Sequence, residues 1–294
     1  MKIYLVDGTY ELFRNHFGAP PRQAPDGRQV GATLGLLRTL YMLVTTPGVT
    51  HVGVAFDHVI ESFRNDLYAA YKTSAGVDPA LLAQFPLAEE ATEALGLTVW
   101  PMVEFEADDA LGTAVKRYGR LTSVDQIVVC SPDKDLAQLV EGQRVVCWDR
   151  RKDAIINEAA VVEKYGVHPA SIPDWLALVG DSADGYPGIP GWGAKSASAV
   201  LARYGHIDAI PQDPARWKVA SITPGRAATL SEALQSRRAE AELFLQLATL
   251  RRDAPVKEKL RELEWRGATP ELKSICHFLG DDKFPLRVER WRPT

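Results

Sequence analysis

Three short apolar runs, each closed by an aspartate, set the tightest limit on what this chain can fold into. Residues 3–6 lead into Asp7-Gly8, residues 52–56 (VGVAF) into Asp57, and residues 127–130 (IVVC) into Ser131-Pro132-Asp133-Lys134-Asp135. Short apolar runs stopped by turn-forming residues read as buried strands. Helical periodicity over residues 10–17 and 31–44 separates the first two runs, so the connection is a crossover and the strands are parallel. The acids then gather along one sheet edge, the edge at which open α/β sheets bind ligands. A single aspartate after a strand reads as a turn residue; three at equivalent positions exceed that explanation.

The rest of the chain fits the same plan. Residues 97–100 resume as a strand, and Glu104-Phe105-Glu106-Ala107-Asp108-Asp109 opens a helix running to about residue 118. Acids in a first helical turn suit the helix dipole, but E-A-D-D carries more of them than capping needs. Residues 144–148 and 154–156 read as an antiparallel or edge pair. A helix over 158–165 ends at Gly166, and residues 171–173 cap another over 174–179. After residue 186 the pattern predicts helices only, over 195–204, 227–247 and 270–279. Phe13, Arg14 and Phe17 share the helix after Asp7; an aromatic pair at i, i+4 reads as core first and as a base-stacking platform second. Arg64, Tyr68, Tyr71 and Lys72 fall near one stripe of the helix-rich segment after Asp57, a solvated face unless carboxylates lie beside it.

Residues 179–198, VGDSADGYPGIPGWGAKSAS, combine two chemistries. Asp181 and Asp184 are hard-cation ligands. Gly191, Gly193 and Lys195 form a glycine-rich turn at a helix start, where exposed N–H groups and an ammonium suit phosphate. In all, nine acids qualify for one cluster or its surroundings: Asp7, Asp57, Glu106, Asp108, Asp109, Asp133, Asp135, Asp181 and Asp184. So many carboxylates in proximity need cations to offset their repulsion. An all-oxygen set favours Mg²⁺ or Mn²⁺ over Zn²⁺, and two such ions suit phosphodiester hydrolysis. The net charge of −4 is no obstacle to a nucleic-acid partner: with these nine set aside, 29 acids face 34 Lys and Arg.

In these motifs the chain resembles the 5′ nuclease superfamily of flap endonucleases and 5′→3′ exonucleases, in the form found at the N-terminus of bacterial DNA polymerase I and in stand-alone bacterial and phage enzymes. The likeness runs from YLVDGTYELFR through VAFD, FRNDLYAAYK, EADDALG, SPDKDLAQL and VGDSADGYPGIPGWGAKSA to LATLRRD and LEWRG. It implies an α/β fold with a PIN-like, mostly parallel sheet flanked by helices. Residues 1–180 would form the nuclease core with a helical arch at about 60–95, and 181–294 a helix-hairpin-helix DNA-binding region with the C-terminal helices. Asp7, Asp57, Glu106, Asp108 and Asp109 would hold a first divalent ion or its waters. Asp133, Asp135, Asp181 and Asp184 would hold or orient a second, some through water. Arg64 and Lys72 match the phosphate-polarising cations, and Phe13 the aromatic that stacks beside the scissile bond, with Arg14 also assigned to DNA. Gly188 and Trp192 are the main-chain candidates for a K⁺ site.

Two departures stand out. Ala75 occupies the place of an arch arginine, and Trp192 replaces a small aliphatic residue, offering either contact with DNA or packing against a helix. The expected activity is structure-specific: removal of 5′ flaps and RNA-primed ends from branched or nicked duplex DNA in replication and repair, with polymerase and ligase as partners. The competing reading is a non-catalytic binder of branched DNA. A dehalogenase-type phosphatase built on Asp7 would need a second aspartate where Thr9 stands. Cys130, Cys147 and Cys276 show neither disulfide nor zinc spacing. The N-terminus lacks a signal-like apolar run, and no stretch has the length of a membrane span. A monomeric, stand-alone, cytoplasmic and nucleoid-associated enzyme is the expectation.

Overall fold

The computed structural model describes residues 1–293. Strand β1 (Lys2–Asp7) ends on a residue that also starts the next element. Asp7 Oδ1 accepts the Tyr10 N–H at 2.8 Å and caps α1 (Gly8–Gly18), a contact typically worth ~1 kcal/mol. Helix α2 (Gly31–Val44) packs on α1 and returns the chain to β2 (His51–Asp57), which pairs parallel to β1 with Asp7 opposite Ala55. Three short helices follow, α3 (Phe63–Leu67), α4 (Pro79–Leu82) and α5 (Phe85–Ala94). Strand β3 (Thr98–Met102) lies parallel to β2, then α6 (Ala107–Tyr118) crosses to β4 (Gln126–Cys130), parallel to β1 on its other side. The parallel order β3-β2-β1-β4 places a topological switch between β1 and β4, the position at which such sheets take ligands.

Beyond β4, a 3-10 turn (Asp135–Leu139) precedes the antiparallel pair β5 (Val145–Asp149) and β6 (Ala154–Ile156). Helix α7 (Glu158–Tyr165) is capped by Asn157 and closed by left-handed Gly166, where the sequence places its end. Helices α8 (Ile172–Val179), α9 (Ala194–Tyr204), α10 (Pro224–Ser236), α11 (Arg238–Ala248) and α12 (Glu271–Phe278) complete the chain.

Two compact units result. One comprises Met1–Ile60, Ser74–Ser131 and the segment from Arg251 onward; the other comprises Glu61–Thr73 and Pro132–Leu250. In the first, Ile3, Leu5, Val54 and Phe56 of the sheet are buried with Leu37 and Leu40 of α2 and Leu111 and Ala114 of α6. The C-terminal segment is stitched on by polar bonds: Trp265 N–H to Thr50 O at 2.8 Å and Trp100 Nε1–H to Glu258 Oε2 at 2.7 Å. In the second, α8 and α11 pack together, burying Leu176, Leu178, Phe244 and Leu247.

Two local expectations are corrected. The helix expected over 227–247 is two, interrupted at Arg237 with φ −122° and ψ 31°. No glycine or proline marks the break. Instead Arg237 pairs with Glu240 in the first turn of α11 and Arg238 with Glu242 one turn on, while α11 packs on α8. Nor do Arg64, Tyr68, Tyr71 and Lys72 share a helical face, because α3 stops at Leu67. Asn65 turns the chain there, its Nδ2 donating to Lys72 O at 3.1 Å.

Candidate functional site

In the first unit the C-terminal edge of the parallel sheet carries five of the acids. Asp7 ends β1, Asp57 ends β2, and Glu106, Asp108 and Asp109 open α6. All are buried except Asp108, which is half-buried. Main-chain and hydroxyl donors hold them. Asp7 Oδ2 accepts from Ser131 Oγ at 2.9 Å, just past the end of β4 across the switch point. Asp57 Oδ1 accepts the Ala107 N–H at 2.6 Å, joining β2 to the start of α6, while the Asp57 N–H donates to Thr9 Oγ1 at 2.8 Å. Asp109 is fully buried, with Oδ2 accepting from Glu106 N and Oδ1 from Arg251 N, at 3.0 and 2.8 Å. Thr9, read in the sequence only as the lack of a second aspartate, is thus the bracket between the first two strand ends.

In the second unit, carboxylate oxygens of Asp135, Asp181 and Asp184 lie within 4.8 Å of one another, and all three residues are buried. Asp133 is exposed, and its Oδ1 accepts the Asp135 N–H at 2.9 Å just ahead of the 3-10 turn. Two ammonium groups face the trio: Lys134 Nζ is 2.6 Å from Asp181 and Lys72 Nζ 3.3 Å from Asp184. Burial, reinforced by the charges of Asp133, Asp184 and Asp181, holds the Asp135 carboxyl well above the usual carboxylate range, with Lys134 opposing. Burial pulls Lys134 down, but Asp181 outweighs it and the ammonium is held above its ordinary value. Asp135 Oδ1 and the Tyr186 hydroxyl are buried without a hydrogen-bond partner. The three clustered carboxylates, all oxygen, with one lone pair unserved, fit a divalent cation.

The glycines of this stretch have a steric reason. Gly180 and Gly188 pass backbone to backbone: a Cβ on Gly188 would lie 2.4 Å from Gly180 N, at a φ of +72°. That crossing folds residues 181–187 back and pairs Asp181 with Tyr186.

The remaining predicted residues are placed as follows. Arg64 is 1% exposed, its Nε donating to Leu247 O at 2.8 Å at the end of α11. The Phe13 ring is half-buried, edge-on to Phe85 at 6.1 Å, whereas Phe17 is 74% exposed. Arg14 is tied to Glu11. Ala75 is exposed. Gly191, Gly193 and Lys195 are exposed around the start of α9, where the Gly193 N–H donates to Ser196 Oγ at 3.1 Å. Trp192 is buried, its Nε1 donating to Leu230 O at 3.1 Å, so of the two readings of this residue packing against a helix is the one observed. A cavity of about 690 Å³ opens at this hairpin and includes Arg226, whose Nη2 donates to Gly191 O at 2.5 Å. Lys134, Tyr186 and Arg226 were passed over in the sequence. Lys134 was signalled only by its place between two counted acids, and Arg226 by nothing local.

Comparison with known proteins agrees with this arrangement. Residues 2–166 match the family model of the 5′-3′ exonuclease N-terminal resolvase-like domain, and residues 167–271 that of the 5′-3′ exonuclease C-terminal SAM fold. The 5′-3′ exonuclease of Aquifex aeolicus is 30% identical over 282 residues, covering 93% of this chain and 96% of that protein. DNA polymerase I of Rhizobium leguminosarum is 40% identical over 217 residues, 71% of this chain, and that of Bacillus caldotenax 32% identical over 296 residues, 98% of this chain. The match spans only 21% and 32% of those two polymerases. Among solved structures, zinc-bound T5 5′-exonuclease superposes with a TM-score of 0.67 at 18% identity, over 95% of this chain and 100% of that one. The catalytic core of Rad2 in complex with DNA substrate gives 0.58 at 14%, over 95% and 88%. These two likenesses are of fold. Both family models, the full-length match to an exonuclease and the acid-lined sheet edge lead to one conclusion: the chain belongs to the 5′-3′ exonuclease family of hydrolytic nucleases.

Proposed function

We propose that this protein is a structure-specific 5′ nuclease that hydrolyses DNA phosphodiesters at 5′ flaps and 5′ ends, including RNA-primed ends, with two divalent cations, Mg²⁺ or Mn²⁺. The observation that carries the reading is the Asp135, Asp181 and Asp184 cluster, buried within 4.8 Å and balanced by lysines, in a chain that also gathers five acids at a parallel-sheet edge. Asp7, Asp57, Glu106 and Asp108 would hold one ion or its waters. Asp109, with both oxygens engaged by main-chain N–H groups, would fix the Glu106 turn. Asp135, Asp181 and Asp184 would hold the other, with Asp133 ordering the turn that presents Asp135. Ions bound there supply a polarised water and charge compensation for the leaving oxygen.

The other roles follow from placement. Lys72, paired with Asp184, would turn toward a substrate phosphate if a cation took over that carboxylate. Arg64 adds positive potential from a buried, main-chain-anchored position. Phe13 offers a ring edge to a base, with Arg14 beside it on α1. Residues 1–180 act as the nuclease core with its arch at about 60–95. Residues 181–294 grip duplex DNA through Gly191, Gly193 and Lys195, with main-chain oxygens of Gly188 and Trp192 as K⁺ ligands. Replication and repair are the setting, and a polymerase partner accords with the DNA polymerase I relatives.

The test is cleavage of a labelled 5′-flap duplex. Product that needs Mg²⁺ or Mn²⁺ and disappears with EDTA is expected. Binding without product at stoichiometric enzyme would instead identify a non-catalytic binder of branched DNA.

A further inference from the structure

Tyr186 stands in the same turn as Asp181 and Asp184, and its position is fixed from two sides. Its backbone pairs with Asp181 in both directions, Asp181 N–H to Tyr186 O at 2.8 Å and Tyr186 N–H to Asp181 O at 3.0 Å. Its ring stacks on Phe244 of α11, with centroids 5.5 Å apart and planes 25° from parallel. The residue is 1% exposed. Ring packing alone asks for phenylalanine, yet the side chain ends in a hydroxyl that is sealed from solvent and lacks a partner. Leaving a buried hydroxyl unserved is costly. The phenol lies within electrostatic reach of Asp135, Asp181, Asp184 and Arg64. A second orphan, Asp135 Oδ1, belongs to the same carboxylate trio. Two orphans that do not pair with each other, one a phenolic donor and one a carboxyl oxygen, mark a place built for a polar guest. A cation with its oxygen ligands answers both: the charge serves Asp135, and the oxygens accept the phenolic proton.

We infer that Tyr186 is a positioning residue for the cation held by Asp135, Asp181 and Asp184, its O–H donating to the oxygen shell around that ion and not binding the ion itself. The inference rests on the proposed divalent site. It extends that site to a residue that no acidic motif contains. Hydrogen bonds to the ligands of a metal commonly govern affinity by tenfold or more.

The test is Mn²⁺ binding to the full chain, followed by electron paramagnetic resonance and calorimetry, for wild type, Tyr186→Phe and Asp135→Asn. Tyr186→Phe removes one oxygen and keeps the ring on Phe244. In wild type two Mn²⁺ ions should bind, and Asp135→Asn identifies the one held by the trio. Tyr186→Phe should weaken that ion about tenfold, leave the other unchanged, and keep or raise the melting temperature of the metal-free protein. Equal affinity of both ions in Tyr186→Phe and wild type would overturn the inference while sparing the divalent site. A lower metal-free melting temperature with equal loss at both ions would overturn it by making Tyr186 a packing residue. Absence of Mn²⁺ binding in wild type would overturn the site and the inference together.

Discussion

Lys134→Ala offers the sharpest perturbation of the buried acid trio. Its ammonium is 2.6 Å from Asp181, with the lysine side chain about one-third exposed and the aspartate nearly sealed. A charge-assisted contact of this kind contributes about 1.5–3 kcal/mol when buried, and partial exposure reduces that to about 1–2 kcal/mol. Removing the lysine leaves Asp135, Asp181 and Asp184 with less compensating charge, so the metal-free protein should lose about that much, a fall in Tm of roughly 2–5 °C for a chain of this size. A divalent ion meets the opposite situation. The ammonium competes for the same carboxylate, so its removal should tighten the ion by about 5- to 30-fold, since 1.4 kcal/mol is about a factor of ten. Melting in EDTA and in saturating Mg²⁺ separates the two effects. The deficit of the variant should be present in EDTA and should close in Mg²⁺. An equal deficit under both conditions would refute the reasoning, because Lys134 would then be a packing residue and not a stand-in cation.

Lys72→Ala should lower the single-turnover cleavage rate by about tenfold or more while flap-duplex affinity changes little; an unchanged rate would return Lys72 to a purely local ion pair with Asp184. Gly188→Ala should cost about 3 kcal/mol or more by chemical denaturation, since its Cβ would sit 2.4 Å from Gly180 N at a φ of +72°. Gly193→Ala, with nothing within 4 Å of the new Cβ, should stay within about 0.5 kcal/mol of wild type and weaken duplex binding instead. Burial pushes the Cys276 thiol up to about 12 from an ordinary 9.0. The folded state therefore keeps a proton that the unfolded chain loses above about pH 9, and stability should fall as pH climbs from there toward 12. Cys276→Ala should flatten that slope in Tm measured against pH.

The parallel sheet and its acidic edge were legible in the sequence because both rest on local patterns. An apolar run of strand length ended by Asp needs no knowledge of distant residues, and Asp7, Asp57 and the E-A-D-D turn stand at the edge for that reason. What lay hidden depends on partners far along the chain. Arg64 reads as one cation on an amphipathic stripe until Leu247, 183 positions away, accepts its Nε–H. The break at Arg237 carries no glycine or proline, and α11 beyond it packs on α8, a partner far earlier in the chain that no local pattern names. Trp192 admitted two readings, and the Leu230 carbonyl that decides between them lies 38 residues later. Tyr186 lies inside the most informative stretch of the chain, yet no local pattern there asks for a hydroxyl. Its aromatic ring matched core packing, and only the solvent-sealed hydroxyl reveals a second demand on the position.

Both sets of acids have main-chain anchors, and the trio is also faced by flexible counter-charges that bear on how it answers a cation. Asp7, Asp57 and Asp109 accept from Tyr10, Ala107, Glu106 and Arg251 N–H groups and from the Ser131 hydroxyl. Main-chain donors at strand ends and a helix start do not leave when a cation arrives, so these carboxylates are oriented in advance and little reorganisation follows. Asp181 Oδ1 likewise accepts the Ala183 N–H at 2.9 Å, and Asp181 and Asp184 are in addition faced by the ammonium groups of Lys134 and Lys72, on long flexible side chains about one-third exposed. Such partners exchange: a divalent ion could displace them without breaking the fold, and a displaced Lys72 could then turn toward a phosphate. Filling the Asp135 trio would thus both assemble a cation site and release a substrate-directed charge. Occupancy of the trio is therefore a step expected to couple metal binding to readiness for substrate.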